Sequence, residues 1–172
     1  WLKTNLEINY KEKLADINAF IFDVDGVLTD GSLIISESGE LLRTMNVKDG
    51  FAMKFAIDNG YKIGIISGGT NESVRKRLNG LGIEEIHLKS HDKIVPFNNF
   101  LKKYNLKKEN VLVMGDDIPD IPIIKLAGIG CCPQDAVPEV KAVSDYISQI
   151  IGGKGCVRDV IEQVMKIQNK WI

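Results

Sequence analysis

Two carboxylates, Asp23 and Asp25, follow the apolar stretch Ala19-Phe20-Ile21-Phe22. Such a stretch reads as a buried strand, and i, i+2 spacing on a strand places both side chains on one face. Gly26 comes next, where the chain must turn. Two like charges so placed repel each other and destabilise the fold unless a cation or a reaction requires them. The pattern recurs as Asp116, Asp117 and Asp120, just after Val111-Leu112-Val113-Met114. An oxygen-rich set of this kind suits a hard cation such as Mg2+, which takes one or two carboxylates together with substrate phosphate oxygens. Between the two acidic groups, Ser67-Gly68-Gly69 closes a further apolar run. The Ser67 hydroxyl and the N–H groups of Gly68 and Gly69, at a helix start, make a cradle for an anion. Lys93 adds a compact positive charge for phosphoryl oxygens.

These parts describe phosphoryl transfer. One carboxylate attacks phosphorus. The other gives a proton to the leaving alcohol and later removes one from water. Each residue alone has a plainer reading: Ser67, Asp117 and Asp120 as helix caps, Lys93 as a surface charge, His91 as a loop residue. Their conjunction at strand ends favours a site.

Strands and helices must alternate to position them. Leu33-Ile34-Ile35 and Leu41 to Met45, with Ser38-Gly39 between, predict a hairpin. A helix is expected from about Gly50, with Phe51 and Phe55, and Ala52 and Ala56 as further candidates, on its apolar face and Asn59-Gly60 as its stop. Lys62 to Ile66 is a strand, followed by a helix over 71–79. A short strand near 86–88 precedes a helix over about 93–104. Val111 to Met114 is a strand, followed by a helix over 121–126 and a small strand at 128–130. The last helix spans about 156–167, with Val157, Val160, Ile161, Val164 and Met165 on one face. This rhythm implies an α/β fold: a Rossmann-like domain over 1–172, with a central parallel sheet, helices on both faces and a protruding hairpin at about 31–46. Sites in such sheets form beyond the carboxyl ends of the strands.

Composition agrees. The 172 residues are 44% hydrophobic and 26% charged, with a formal net charge of -1. That balance gives no reason to expect nucleic acid or an acidic membrane surface as partner. No long apolar run or signal peptide is expected. Three cysteines, Cys131, Cys132 and Cys156, lack zinc-site spacing and read as reduced thiols of a cytoplasmic protein. Only His87 and His91 occur, which argues against a His-based zinc site.

The motifs Asp23-Val24-Asp25-Gly26-Val27-Leu28-Thr29, Ser67 after a strand, Lys93, and Gly115-Asp116-Asp117-Ile118-Pro119-Asp120 resemble, in order, the four motifs of the haloacid dehalogenase superfamily. The resemblance implies Asp23 as nucleophile and Asp25 as general acid/base. It implies Mg2+ on Asp23, the Asp25 backbone carbonyl and Asp116, with Asp117 and Asp120 supporting those ligands. Asn46-Val47-Lys48-Asp49-Gly50 and Gly152-Gly153-Lys154-Gly155-Cys156 further resemble the capless branch acting on 3-deoxy-D-manno-octulosonate 8-phosphate in lipopolysaccharide synthesis. That branch implies a phosphorylated sugar acid as substrate, contacts from Thr29, Gly68, Gly69 and Lys154, and no cap domain. It also implies a homotetramer built by the hairpin, with active sites at subunit interfaces. Gly69 stands where that branch carries Arg, or Glu in phosphatases of nonulosonate 9-phosphates, and Lys154 replaces Arg. A 9-phosphate of the sialic acid type is therefore the alternative substrate. A receiver-like signalling domain and a silent assembly domain are the alternatives outside this enzyme class.

Overall fold

The computed structural model describes residues 10–172. Its centre is a six-stranded sheet of β1 (Ala19–Phe22), β4 (Lys62–Ile66), β5 (Glu85–His87), β6 (Val111–Met114), β7 (Ile129–Cys132) and β8 (Tyr146–Ile147). The order is β5-β4-β1-β6-β7-β8, and every pairing is parallel. Phe22 at the end of β1 stands opposite Ile65 of β4 and Met114 of β6. That register brings the exits of three strands side by side, and each exit carries a predicted motif.

Alternation along the buried strands divides the core in two. Phe20, Phe22, Ile63, Ile65, Leu112, Met114, Ile129 and Cys131 face one layer. It is covered by α1 (Val47–Asp58), α2 (Glu72–Asn79) and α6 (Cys156–Ile167). Ala19, Ile21, Ile66, Val111, Val113 and Cys132 face the other, under α3 (Ile94–Lys103), α4 (Ile121–Leu126) and α5 (Pro138–Val143). Both faces of the sheet are thus shielded, as continuous apolar strands require. All three cysteines are free and buried. No helix among the described residues is long and apolar enough to cross a membrane.

The expected face of the first long helix is corrected. α1 begins at Val47, because the Asn46 side chain accepts the Lys48 N–H at 2.8 Å. Its buried residues are Asp49, Gly50, Ala52, Met53 and Ala56, with Phe55 half-buried against the core, so Ala52, Ala56 and Phe55 lie where expected while Phe51 is 47% exposed. Phe51 stacks on Phe55, with Trp171 edge-on to both. Small residues face the sheet because α1 and α6 share that side and pack against each other. The short α5 and β8 lie outside the expected elements.

The predicted hairpin is present as β2 (Ile34–Ile35) and β3 (Leu41–Leu42), paired antiparallel apart from the main sheet. Its turn closes with Gly39 N–H donating to Ser36 O at 2.9 Å. Leu33, Ile34, Ile35, Leu41 and Leu42 are all exposed.

Candidate active site

The chain leaves β1 through a turn built around Gly26 and Thr29. Asp23 N–H donates to Met114 O at 3.1 Å, which continues the sheet by one residue. Gly26 has φ of +87°, and a Cβ there would meet Asp116 Oδ2 at 1.9 Å. Only glycine satisfies both the left-handed backbone and that close approach. Thr29 is fully buried, and its hydroxyl accepts the N–H groups of Gly26 and Gly31 at 3.3 and 3.2 Å. Its place is inside the turn, behind the site, rather than on the wall of the cleft.

β6 delivers the second acidic group. Asp120 lies in the short helical turn Ile118–Asp120 that follows β6, and its Oδ2 accepts the N–H groups of Asp116 and Asp117 at 3.0 and 3.2 Å. A Cβ at Gly115 would strike Asp120 Cβ at 2.3 Å, so the tight fold-back depends on that glycine. Asp117 is exposed and accepts the Ile118 N–H at 2.7 Å. It caps the turn and also lines the cleft.

Lys93 sits at the start of α3 and is only 5% exposed. Its Nζ donates to Asp120 Oδ1 at 2.5 Å and stands 3.1 Å from Asp23 Oδ1. Burial alone lowers a lysine pKa, but Asp23 and Asp120 outweigh it and hold the Lys93 ammonium above its usual value. Lys93 and Asp23 thus form a buried ion pair. Apart from that pair, Asp23 Oδ1 and Asp116 Oδ1 are buried and accept no hydrogen bond among the described residues.

Carboxylate oxygens of Asp23, Asp116 and Asp120 lie within 4.8 Å of one another. Burial, then the Asp120 charge, pushes Asp23 up to about 7 despite Lys93. Burial, then the charges of Asp23, Asp120 and Asp117, pushes Asp116 up to about 8. Three carboxylates sharing one lysine leave an excess of negative charge. An Asp116 oxygen with no partner, beside an Asp23 oxygen held only by the Lys93 charge, fits a hard divalent cation. Asp23 and Asp116 have free oxygens to offer it. Asp120 is taken up by Lys93 and two amides, and so fixes its neighbours.

Ser67 ends β4 and is buried, with Gly69 N–H donating to its Oγ at 3.2 Å. Nothing lies within 4 Å of where a Gly68 Cβ would be, so that backbone is open to the cleft. The cleft, about 400 Å³, gathers Asp23, Asp25, Ser67, Gly68, Gly69, Lys93, Asp116, Asp117 and Asp120 on one wall system. Ser90, His91 and Pro119 line it too; Pro119 lies inside the fourth motif and His91 two residues before Lys93, whereas Ser90 has no signal in the sequence. Lys154 is exposed near Asp30 and lies outside the cleft lining.

Asp25 turns away from the carboxylate cluster. Arg43, just after β3, grips it with Nε on Oδ1 at 2.5 Å and Nη2 on Oδ2 at 3.0 Å. Spacing alone could not reveal this residue, because the hairpin's path back to the sheet decides where it lands.

Comparison with known proteins agrees with this geometry. A family of haloacid dehalogenase-like hydrolases matches residues 79–151. The chain is 34% identical over 158 residues to the 3-deoxy-D-manno-octulosonate 8-phosphate phosphatase of Escherichia coli K12, covering 92% of this chain and 84% of that protein. The phosphatase of that name from Moraxella catarrhalis, solved with magnesium, phosphate and KDO, superimposes with a TM-score of 0.90 at 33% identity. That match covers 93% of this chain and 92% of the other. The cobalt-bound octulosonate 8-phosphate phosphatase from Haemophilus influenzae gives 0.88 at 31% identity, covering 91% and 92%. With this fold, four motifs gathered in one cleft and relatives so similar along their length, the chain belongs to the haloacid dehalogenase-like hydrolases, in the family of the 3-deoxy-D-manno-octulosonate 8-phosphate phosphatases.

Proposed function

We propose that this protein is a cytoplasmic, magnesium-dependent phosphatase that hydrolyses 3-deoxy-D-manno-octulosonate 8-phosphate through an aspartyl phosphate on Asp23. The observation that carries the reading is the buried carboxylate cluster of Asp23, Asp116 and Asp120 at the floor of an open polar cleft, with one lysine among three carboxylates and Asp116 Oδ1 left without a partner among the described residues. The Moraxella catarrhalis relative, solved with magnesium, phosphate and the sugar acid, supports the cofactor and substrate class.

In this reading Asp23 and Asp116 hold the cation, with the Asp25 backbone carbonyl completing the protein's share. The ion draws charge from phosphoryl oxygens and offsets the repulsion among the carboxylates. An Asp23 oxygen bonds to phosphorus as the ester P–O bond breaks, and Asp25 gives its proton to the departing sugar oxygen. Asp25 then takes a proton from water as that water attacks the aspartyl phosphate, which releases inorganic phosphate and frees Asp23. Lys93 holds Asp23 in place and contributes positive charge to the transferring group. Ser67 and the Gly68–Gly69 amides cradle the phosphoryl oxygens. Lys154 reaches the sugar from the turn beside Asp30.

The test is phosphate release from octulosonate 8-phosphate with Mg2+, set beside nonulosonate 9-phosphates in one panel. Asp23→Asn is expected to cut turnover by at least roughly a thousandfold. A wild-type protein inactive on the whole panel with metal present would overturn the reading. Preference for a 9-phosphate would keep the chemistry and change the sugar.

A further inference from the structure

The Arg43–Asp25 pair is unexplained by the reading above. We propose that Arg43 is a positioning residue that fixes the proton-transferring carboxylate of Asp25, and that it thereby ties the hairpin to the reaction. The proposal rests on Asp25 being the proton-transfer group.

Three observations converge on it. The contact is a two-point fork, Nε to Oδ1 at 2.5 Å and Nη2 to Oδ2 at 3.0 Å. A fork of this kind sets the plane of the carboxylate, whereas a single contact leaves it free to rotate. The guanidinium is itself held, because Nη1 donates to Leu41 O at 3.1 Å, and that carbonyl also accepts from Asn71 Nδ2 at 2.6 Å. Asn71 caps α2, which is packed into the core, so the arginine is braced from the main body. Lastly, position 69 leaves room for it. A Cβ on Gly69 would lie 3.4 Å from Asp25 Oδ2 and 3.5 Å from Arg43 Nη2, so a longer side chain there would contend with the fork for Asp25.

Each Asp25 oxygen keeps one lone-pair direction beyond the fork, and Asp25 lines the cleft. With its plane fixed, the carboxyl presents the same lone-pair directions in both half-reactions: to the ester oxygen as the P–O bond breaks, and to water as the aspartyl phosphate is hydrolysed. Without the fork the carboxyl rotates, and proton transfer loses alignment although every reacting group remains.

Leaving-group dependence tests this. A sugar alkoxide needs its proton as it departs, whereas p-nitrophenolate departs without one. Arg43→Ala is expected to lower kcat/KM for octulosonate 8-phosphate by roughly 10- to 100-fold, less than the full contribution of general acid catalysis, about 10²- to 10⁴-fold, because Asp25 itself remains. For p-nitrophenyl phosphate the loss in kcat/KM is expected to stay under about threefold, since that ratio ends at release of a leaving group that needs no proton, before water attacks the aspartyl phosphate. Arg43→Lys keeps the charge without the fork and should fall between wild type and Arg43→Ala on the sugar phosphate. Equal losses in kcat/KM on both substrates, or no loss on either, would overturn the proposal, and so would full activity in Arg43→Lys beside a disabled Arg43→Ala. Wild-type protein without turnover of either phosphate would instead defeat the phosphatase reading.

Discussion

At the scale of single residues, the site is a problem in charge that its own side chains do not solve. Asp23 and Asp116 are pushed up to about 7 and about 8, each by burial first and by neighbouring carboxylates second. The folded protein therefore holds more protons than the unfolded chain between the ordinary carboxylate value of about 4 and pH 8. Wherever the folded state binds more protons, stability falls as pH rises. Metal-free protein should accordingly lose thermal stability from pH 5 to pH 8. A divalent cation competes for the same oxygens and binds better once they are deprotonated. Adding Mg2+ should therefore raise Tm more at pH 8 than at pH 5. Asp116→Asn should flatten the pH dependence and abolish most of the Mg2+ response. Thermal melts of chelator-treated protein at the two pH values check this, and a metal-free Tm that rises toward pH 8 would refute it.

At the scale of elements, three strand exits and their glycine turns build the site, and these were largely legible in the sequence. β1, β4 and β6 fall where the apolar runs place them, because a strand buried on both faces is an uninterrupted apolar stretch. The carboxylates and Ser67 follow at each exit for the same reason. Legibility fails where tertiary contacts decide. Phe51 and Phe55 match a helical period, yet only Phe55 reaches the core, and Phe51 is 47% exposed beside the buried Ala52, Met53 and Ala56. Arg43 gives no local signal, since its partner is 18 positions away across a hairpin. Asp49 is another such case: it is buried in α1, and its Oδ1 accepts the Arg158 N–H at 2.8 Å at the start of α6. Its side chain serves as the cap of a helix distant in sequence, and burial pushes it up to about 6 although backbone N–H groups of Arg158, Gly155 and Val157 pull it down. Asp49→Ala removes that cap and should destabilise the protein by about 1–2 kcal/mol, read as a lower urea midpoint with unchanged slope. Gly26→Ala should do more, because it meets Asp116 in a left-handed turn. A loss of Mg2+ response alongside the stability loss in Gly26→Ala would tie that turn to the cation site, whereas stability loss alone would confine its role to the backbone.

At the scale of the whole molecule, the hairpin is the part that a lone chain accounts for least. Ile34 is 59% exposed and Ile35 71%, with Leu33, Leu41 and Leu42 exposed beside them. Contiguous apolar residues on a two-stranded ribbon are a liability for a monomer. Fully burying an isoleucine contributes roughly 1.5–3 kcal/mol, so two per copy across a symmetric contact are enough to matter for assembly. We propose that the hairpin joins four copies of this chain, and that the contact holds β3, and with it Arg43, over Asp25. Light scattering at micromolar concentration should then give a mass above that of one chain. The paired change Ile34→Glu and Ile35→Glu should give a smaller species, because charges buried across the contact would be unpaired. Its fold should survive, since neither residue belongs to either core layer. The kcat/KM for the sugar phosphate should fall in that variant in the same pattern as in Arg43→Ala, with kcat/KM for p-nitrophenyl phosphate spared. A monomeric wild type would remove the assembly argument. An assembled wild type whose dissociated variant keeps full activity on the sugar phosphate would leave assembly standing and cut its link to Asp25.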